Sequence, residues 1–132
     1  MKQRKILIVD DQPETIEFVT SIIEDMGDYT VLSAQDGEEG VLKARADIPD
    51  LIILDVMMPK KDGYTAFCEL KQDERTSRIP VIMFSSLGEL GEMVRAQALS
   101  LTVTPELFVD KPINPGVLKE LIHRILNPEK AL

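Results

Sequence analysis

The sequence predicts an α/β fold, a doubly wound five-stranded parallel sheet in the order 2-1-3-4-5 with helices on both faces. Three observations predict it. Short apolar runs without polar alternation, at residues 6–9, 51–54 and 81–84, read as strands buried on both faces. Helix-periodic stretches alternate with the strands to give five β-α units, a pattern that implies right-handed crossovers and a parallel sheet. Four of the strands end in polar residues, Asp10-Asp11, Asp55, Ser85-Ser86 and Lys111, which a parallel sheet collects along one edge. In that strand order, strands one and three are neighbours at the switch point, where ligand sites of open α/β sheets form.

Each element has its own justification. Ile6-Leu7-Ile8-Val9 is the first strand, and Asp11 can cap the helix after it, with Pro13 in the first turn where a missing N–H costs nothing. Ile16, Val19, Ile23 and Met26 recur at helical spacing, and Gly27 is a good stop. Residues 29–34 form a second, weaker strand. Asp36-Gly37 turns the chain into a short helix over 39–45 with Val41, Leu42 and Ala44 as its inner face, and Pro49-Asp50 breaks it. Leu51 to Leu54 end in Asp55, and loop chemistry follows at Pro59 and Asp62-Gly63. A helix over 64–71 turns Phe67 and Leu70 inward, residues 73–78 are a polar loop, and Pro80 introduces the fourth strand. The stretch 87–104 is less regular: 89–99 suits a helix whose start Gly88 and Gly91 weaken. Leu107-Phe108-Val109 is the fifth strand. Asn114 caps a last helix with Pro115 at its first position, whose buried stripe is Val117, Leu118, Leu121, Ile122 and Ile125, and Asn127-Pro128 stops it.

Bulk properties narrow the function classes. The 132 residues suit one domain, with a folded core expected over about 5–127 and no output domain within 1–132. A net charge of −8 leaves no basic footprint for nucleic acid and is repelled by an acidic membrane surface. The single cysteine, Cys68, cannot form an internal disulfide and fits a reducing, cytoplasmic setting, with a small half-buried side chain as its expected role. The apolar run behind the basic start is too short for a signal sequence or a membrane span. His123, late in the last helix, is assigned surface or packing duty, and Lys60 and Lys61 a solvated loop.

Asp10, Asp11 and Asp55 in one crevice repel one another, each close pair by about 4 kcal/mol at an effective dielectric near 20. A cation, bound protons or both must offset this. Lys111 is one fixed positive charge, and Mg²⁺ is a natural second, since it takes oxygen ligands from one or two carboxylates plus a phosphate. One carboxylate then remains as a nucleophile of the kind that forms aspartyl phosphates. Neutralisation of the transferred group would come from the metal, Lys111, the Ser85 hydroxyl and loop N–H groups.

The chain resembles the receiver domain of bacterial two-component response regulators, a flavodoxin-like (βα)5 fold. The resemblance is carried by Ile6-Leu7-Ile8-Val9-Asp10-Asp11, Leu54-Asp55-Val56-Met57-Met58-Pro59 with Asp62-Gly63, Ile82-Met83-Phe84-Ser85-Ser86 and Phe108-Val109-Asp110-Lys111-Pro112. These pieces run nearly end to end. The resemblance implies that Asp55 is the phosphoacceptor and that Asp10, Asp11 and Asp55 hold Mg²⁺ together with the backbone carbonyl of Met57. It implies that Ser85 is the switch hydroxyl, Lys111 the phosphate-pairing base and Lys111–Pro112 a cis peptide. Partners would be a histidine kinase or histidine phosphotransfer protein and an unknown downstream protein. Phosphorylation would draw Ser85 inward, let Phe108 rotate, and bias the surface of the fourth helix, fifth strand and fifth helix. The chain would then act as a phosphorylation-controlled signalling domain or phosphorelay intermediate rather than a turnover enzyme, catalysing only its own phosphorylation and dephosphorylation. Met57 and Leu87 would flank the path of the hydrolytic water.

The sequence departs from the family in carrying Phe108 where many members have tyrosine, and in residues 99–105, which replace the usual Gly-Ala and paired acids. Those residues read first as inward packing of Leu99, Leu101 and Val103 and second as a partner or homodimer face. Two other functional readings stand beside the receiver. A Mg²⁺-dependent phosphohydrolase with an aspartyl nucleophile is opposed by Met57, since enzymes resembling the haloacid dehalogenase type place an acid there. A degenerate, unphosphorylated interaction module is opposed by the intact set of Asp10, Asp11, Asp55, Ser85 and Lys111.

Overall fold

The computed structural model describes residues 3–56, 58, 60–85, 107–110 and 113–128. Five parallel strands, β1 (Arg4–Val9), β2 (Tyr29–Ala34), β3 (Leu51–Asp55), β4 (Val81–Ser85) and β5 (Leu107–Asp110), form one sheet in the order β2-β1-β3-β4-β5. The described helices are α1 (Pro13–Met26), α2 (Gly37–Asp47), α3 (Gly63–Gln72) and α4 (Pro115–Leu126). The predicted α/β order is therefore observed. The helix expected over 89–99 and the stretch 99–105 lie outside the described residues, as do Leu87 and the Lys111–Pro112 peptide.

Strand periodicity builds two cores. Ile6, Ile8, Leu51, Ile53, Ile82 and Phe84 point to one face and pack with Val19, Ile22 and Ile23 of α1 and Leu118 and Ile122 of α4. Leu7, Val9, Ile52, Leu54, Val81 and Met83 point to the other and meet Val41 and Ala44 of α2 and Ala66, Phe67 and Leu70 of α3. Because both faces are covered, the central strands are apolar throughout, which is why the sequence shows runs there and no alternation. Tyr64 joins the second core in the first turn of α3, where burial, reinforced by a hydrogen bond with Cys68, pushes its phenol up to about 12. Cys68 itself is half-buried, as expected.

The helix ends follow cap chemistry, with one correction. Gly27 ends α1 in the left-handed region at φ 87°, Asp36 Oδ1 accepts the Glu39 N–H at 2.8 Å, and Asn114 Oδ1 accepts the Val117 N–H at 3.1 Å. Asp11 does not cap α1. The cap is Gln12, whose own N–H donates to Asp10 Oδ1 at 2.9 Å, so the chain turns one residue later than the cap preference of aspartate suggests. Two inner-face assignments also fail. Leu42 is 60% exposed and Val117 50% exposed, each a helical step of about 100° outside the stripe its neighbours define. In α2 the buried positions are Gly37, Gly40, Val41 and Ala44, and their small side chains let the helix lie close to the sheet.

Candidate functional site

The acid pocket is a consequence of strand register. β1 pairs with β3 so that Val9 is level with Leu54, which sets Asp10 level with Asp55. Asp10 continues the parity of Ile6 and Ile8, and Asp55 that of Leu51 and Ile53, so both leave the sheet toward the α1/α4 side. Asp11 follows directly. Each of the three carboxylates offers an oxygen within 4.8 Å of the others. Asp10 is 1% and Asp55 5% exposed, whereas Asp11 is open to solvent. Hydrogen bonds fix the frame: Asp10 N–H donates to the Ala34 carbonyl at 3.1 Å and Val56 N–H to the Phe84 carbonyl at 2.9 Å.

Of the other residues singled out in the sequence, Ser85 is the last residue of β4, one step beyond the Asp55–Phe84 pair, and Phe108 lies in β5 level with Met83. Their backbones are thereby on the same end of the sheet or adjacent to it. Met57 and Lys111 lie outside the described residues. His123 is exposed on α4, one turn before Asn127, and takes no part in the pocket.

Residues 60–63, which lead into α3, are held more firmly than a solvated loop would be. Gly63 N–H donates to the Val56 carbonyl at 2.8 Å, and a methyl group on Gly63 would overlap the Asp55 carbonyl oxygen and come within 2.9 Å of Val56 Cα. Lys61 pairs with Glu69 and is not fully solvated, contrary to the sequence expectation. Lys60 adopts φ 67° and places its ammonium 3.6 Å from Asp36 Oδ2. The Glu39 amide, and after it Lys60, hold the Asp36 carboxyl below the usual carboxylate range against the opposing effect of burial. None of these contacts was read from the sequence. The only available hint was the Asp36-Gly37 pair, which resembles any helix start.

A crevice of this composition offers carboxylate oxygens to a hard cation and a buried carboxylate to an electrophile. Comparison with known proteins identifies the family. The sequence pattern of the response regulator receiver domain matches residues 6–123, and the chain belongs to that family. It is 35% identical over 125 residues to the probable transcriptional regulator ycf27 of Pyropia yezoensis, covering 95% of this chain and 48% of the relative. The chain thus spans about half the length of the curated relatives it matches. Among solved structures, the receiver domain of a signal transduction histidine kinase from Syntrophus aciditrophicus superposes with a TM-score of 0.83 at 34% identity, covering 98% of this chain and 94% of that one. The receiver domain of the sensor histidine kinase PA1611 from Pseudomonas aeruginosa, with a magnesium ion coordinated in its active site cleft, superposes with a TM-score of 0.82 at 26% identity, covering 95% and 98% of the two chains. Among the described residues no helix is long and apolar enough to cross a membrane.

Proposed function

We propose that this chain accepts a phosphoryl group on Asp55 from the phosphohistidine of a histidine kinase or histidine phosphotransfer protein, and that the modification switches a protein-binding surface. The observation that carries the reading is the meeting of Asp10, Asp11 and Asp55 within 4.8 Å at the end of β1 and β3. An Asp55 oxygen attacks phosphorus, the P–N bond to the donor imidazole breaks, and the imidazole leaves with that electron pair. Hydrolysis later returns the carboxylate and inorganic phosphate.

The donor set fits Mg²⁺: three hard oxygens, two of them on buried residues, in a pocket where like charges otherwise face each other. Asp10, Asp11, Asp55 and the Met57 carbonyl would hold it. When bound, the ion supplies charge neutralisation for the phosphoryl oxygens and templates the in-line geometry. Asp10 also orients the start of α1 through the Gln12 N–H. Lys111 is assigned to pair with the phosphoryl group and Ser85 to hydrogen-bond it, with Phe108 following Ser85 to alter the surface of β5 and the last helix. To move that equilibrium from 1:99 to 99:1, phosphorylation must favour the active state by about 5.5 kcal/mol.

Asp55→Asn tests the assignment. Incubation of the wild type with acetyl phosphate and Mg²⁺ should add one acid-stable, hydroxylamine-labile phosphoryl group by intact mass, and the variant should add none. Undiminished label in the variant would place the acceptor elsewhere.

A further inference from the structure

We propose that Gly37, together with Asp36, is a positioning element for the acid pocket: the N-terminus of α2 is the wall against which the Lys60-Lys61 end of the β3–α3 segment is set. The inference rests on the Mg²⁺-binding reading given above.

Three observations carry it. The backbone of Lys61 lies directly on Gly37, so that a methyl group there would overlap the Lys61 carbonyl oxygen and sit 2.9 Å from its carbonyl carbon and 3.0 Å from its Cβ. Beside that contact, Asp36 caps α2 through the Glu39 N–H and faces Lys60 with its second oxygen. Lys60 holds a left-handed backbone conformation that lysine rarely adopts, which a free loop would relax. Two residues beyond Lys61 the chain closes on β3, through the Gly63 N–H to Val56 and the bare Gly63 Cα against Asp55. Residues 61–63 are therefore fixed at two places, one on the strand that carries Asp55 and one on a helix packed against the sheet. Gly63 rests on Asp55, which is itself assigned to the metal.

A metal constellation keeps its geometry only within roughly 0.5 Å. Adding one methyl group at Gly37 forces Lys61 or the α2 terminus to move further than that, because the obstacle is backbone and not the end of a flexible side chain. The effect expected is that of losing a supporting contact behind a metal ligand, about tenfold in affinity.

The test is calorimetric titration of the full chain with MgCl2, alongside thermal melts without metal. Gly37→Ala should weaken Mg²⁺ binding about tenfold. Ala44→Gly, two turns further along α2 and buried away from the segment, serves as the comparator for general loss of helix stability and should leave the affinity unchanged. Lys60→Gln separates position from charge. Removing a positive charge from the protein favours cation binding by Coulomb attraction alone, whereas loss of the clamp weakens it, and a weaker affinity is the result expected. Wild-type affinity in Gly37→Ala, or an equal loss in Ala44→Gly at the same fall in Tm, would overturn the inference. If Gly37→Ala does not fold, Lys60→Gln decides: tighter or unchanged binding overturns it. If the wild type binds Mg²⁺ no better than Asp11→Asn does, the metal reading itself fails and the inference with it.

Discussion

Asp10 and Asp11 are neighbours in sequence and do different work. Asp10 is buried, accepts the Gln12 N–H and is fixed by the register of β1, while Asp11 is exposed and contributes its oxygen from the rim. Replacing Asp11 by Asn removes one like charge from the cluster without emptying a buried position. Without divalent ions the variant should melt about 2 °C or more above the wild type, since a gain of even 0.5 kcal/mol moves Tm by about that much in a domain of this size. With Mg²⁺ present the order should reverse. A lower metal-free Tm would count against repulsion as the governing effect. A second residue-scale prediction concerns Thr76, which is fully buried and donates its hydroxyl to the Leu70 carbonyl at 2.6 Å. Thr76→Val keeps the shape and leaves that carbonyl short of a donor, so denaturant unfolding should show a loss of about 1–3 kcal/mol. The meeting of Asp10 and Asp55 was legible from the sequence because each follows a buried apolar run, and a parallel sheet collects such strand ends along one edge. The capping role given to Asp11 was not, because a cap is chosen by the turn the chain takes, and Asp10 had already captured the Gln12 amide.

At the scale of elements, the turn after α3 is organised by Asp73. Its Oδ2 lies 2.9 Å from Arg45 Nε of α2 and 2.9 Å from an Arg75 guanidinium nitrogen, and its Oδ1 accepts the Arg75 N–H at 2.9 Å. The Arg75 side chain and amide, with help from Arg45, bring the Asp73 carboxyl down to about 2. The folded form thus binds its proton less readily than the unfolded chain. The stabilising contribution is complete above the ordinary carboxylate range and is lost as pH falls toward 2. Asp73→Asn should therefore flatten the acid limb of a Tm-versus-pH curve between about pH 4 and pH 2 while leaving the neutral region nearly parallel to the wild type. An unchanged acid limb would remove Asp73 from the account. The sequence marked residues 73–78 as a polar loop, which is right in composition and silent on this bracing, because Arg45 reaches it from an element 28 residues away. On the inner face of α2, Val41 and Ala44 were read correctly and Leu42 was misplaced for a related reason. The contact surface of the helix is made by Gly37, Gly40, Val41 and Ala44, and so many small residues leave little hydrophobic signal against which to judge Leu42.

Across the whole molecule, the sheet order gathers the acids and the layers hold them. A chain of net charge −8 that also concentrates carboxylates at one strand edge is stabilised by any cation that binds the folded form alone. Mg²⁺ at about a hundred times its Kd should add about 2.7 kcal/mol to the unfolding free energy, measurable as a concentration-dependent rise in Tm that Asp11→Asn largely abolishes. A Tm indifferent to Mg²⁺ up to millimolar levels would argue against a metal at this edge. The topology was legible because strand runs and helix stops alternate along the chain. Contacts such as Gly37 with Lys61 were not, since they join segments that only the three-dimensional crossover brings together.

Arg4, at the beginning of β1, donates to the Leu126 carbonyl and to Asn127 Oδ1 at the end of α4. Both groups belong to the pole where strands begin, a strand length of roughly 17–20 Å from the acids. A fluorophore attached at Gln3 or Asn127 would thus sit beside that guanidinium, at the opposite end of the strands from the carboxylates. Such attachments can report on docking at the acidic edge without obstructing it.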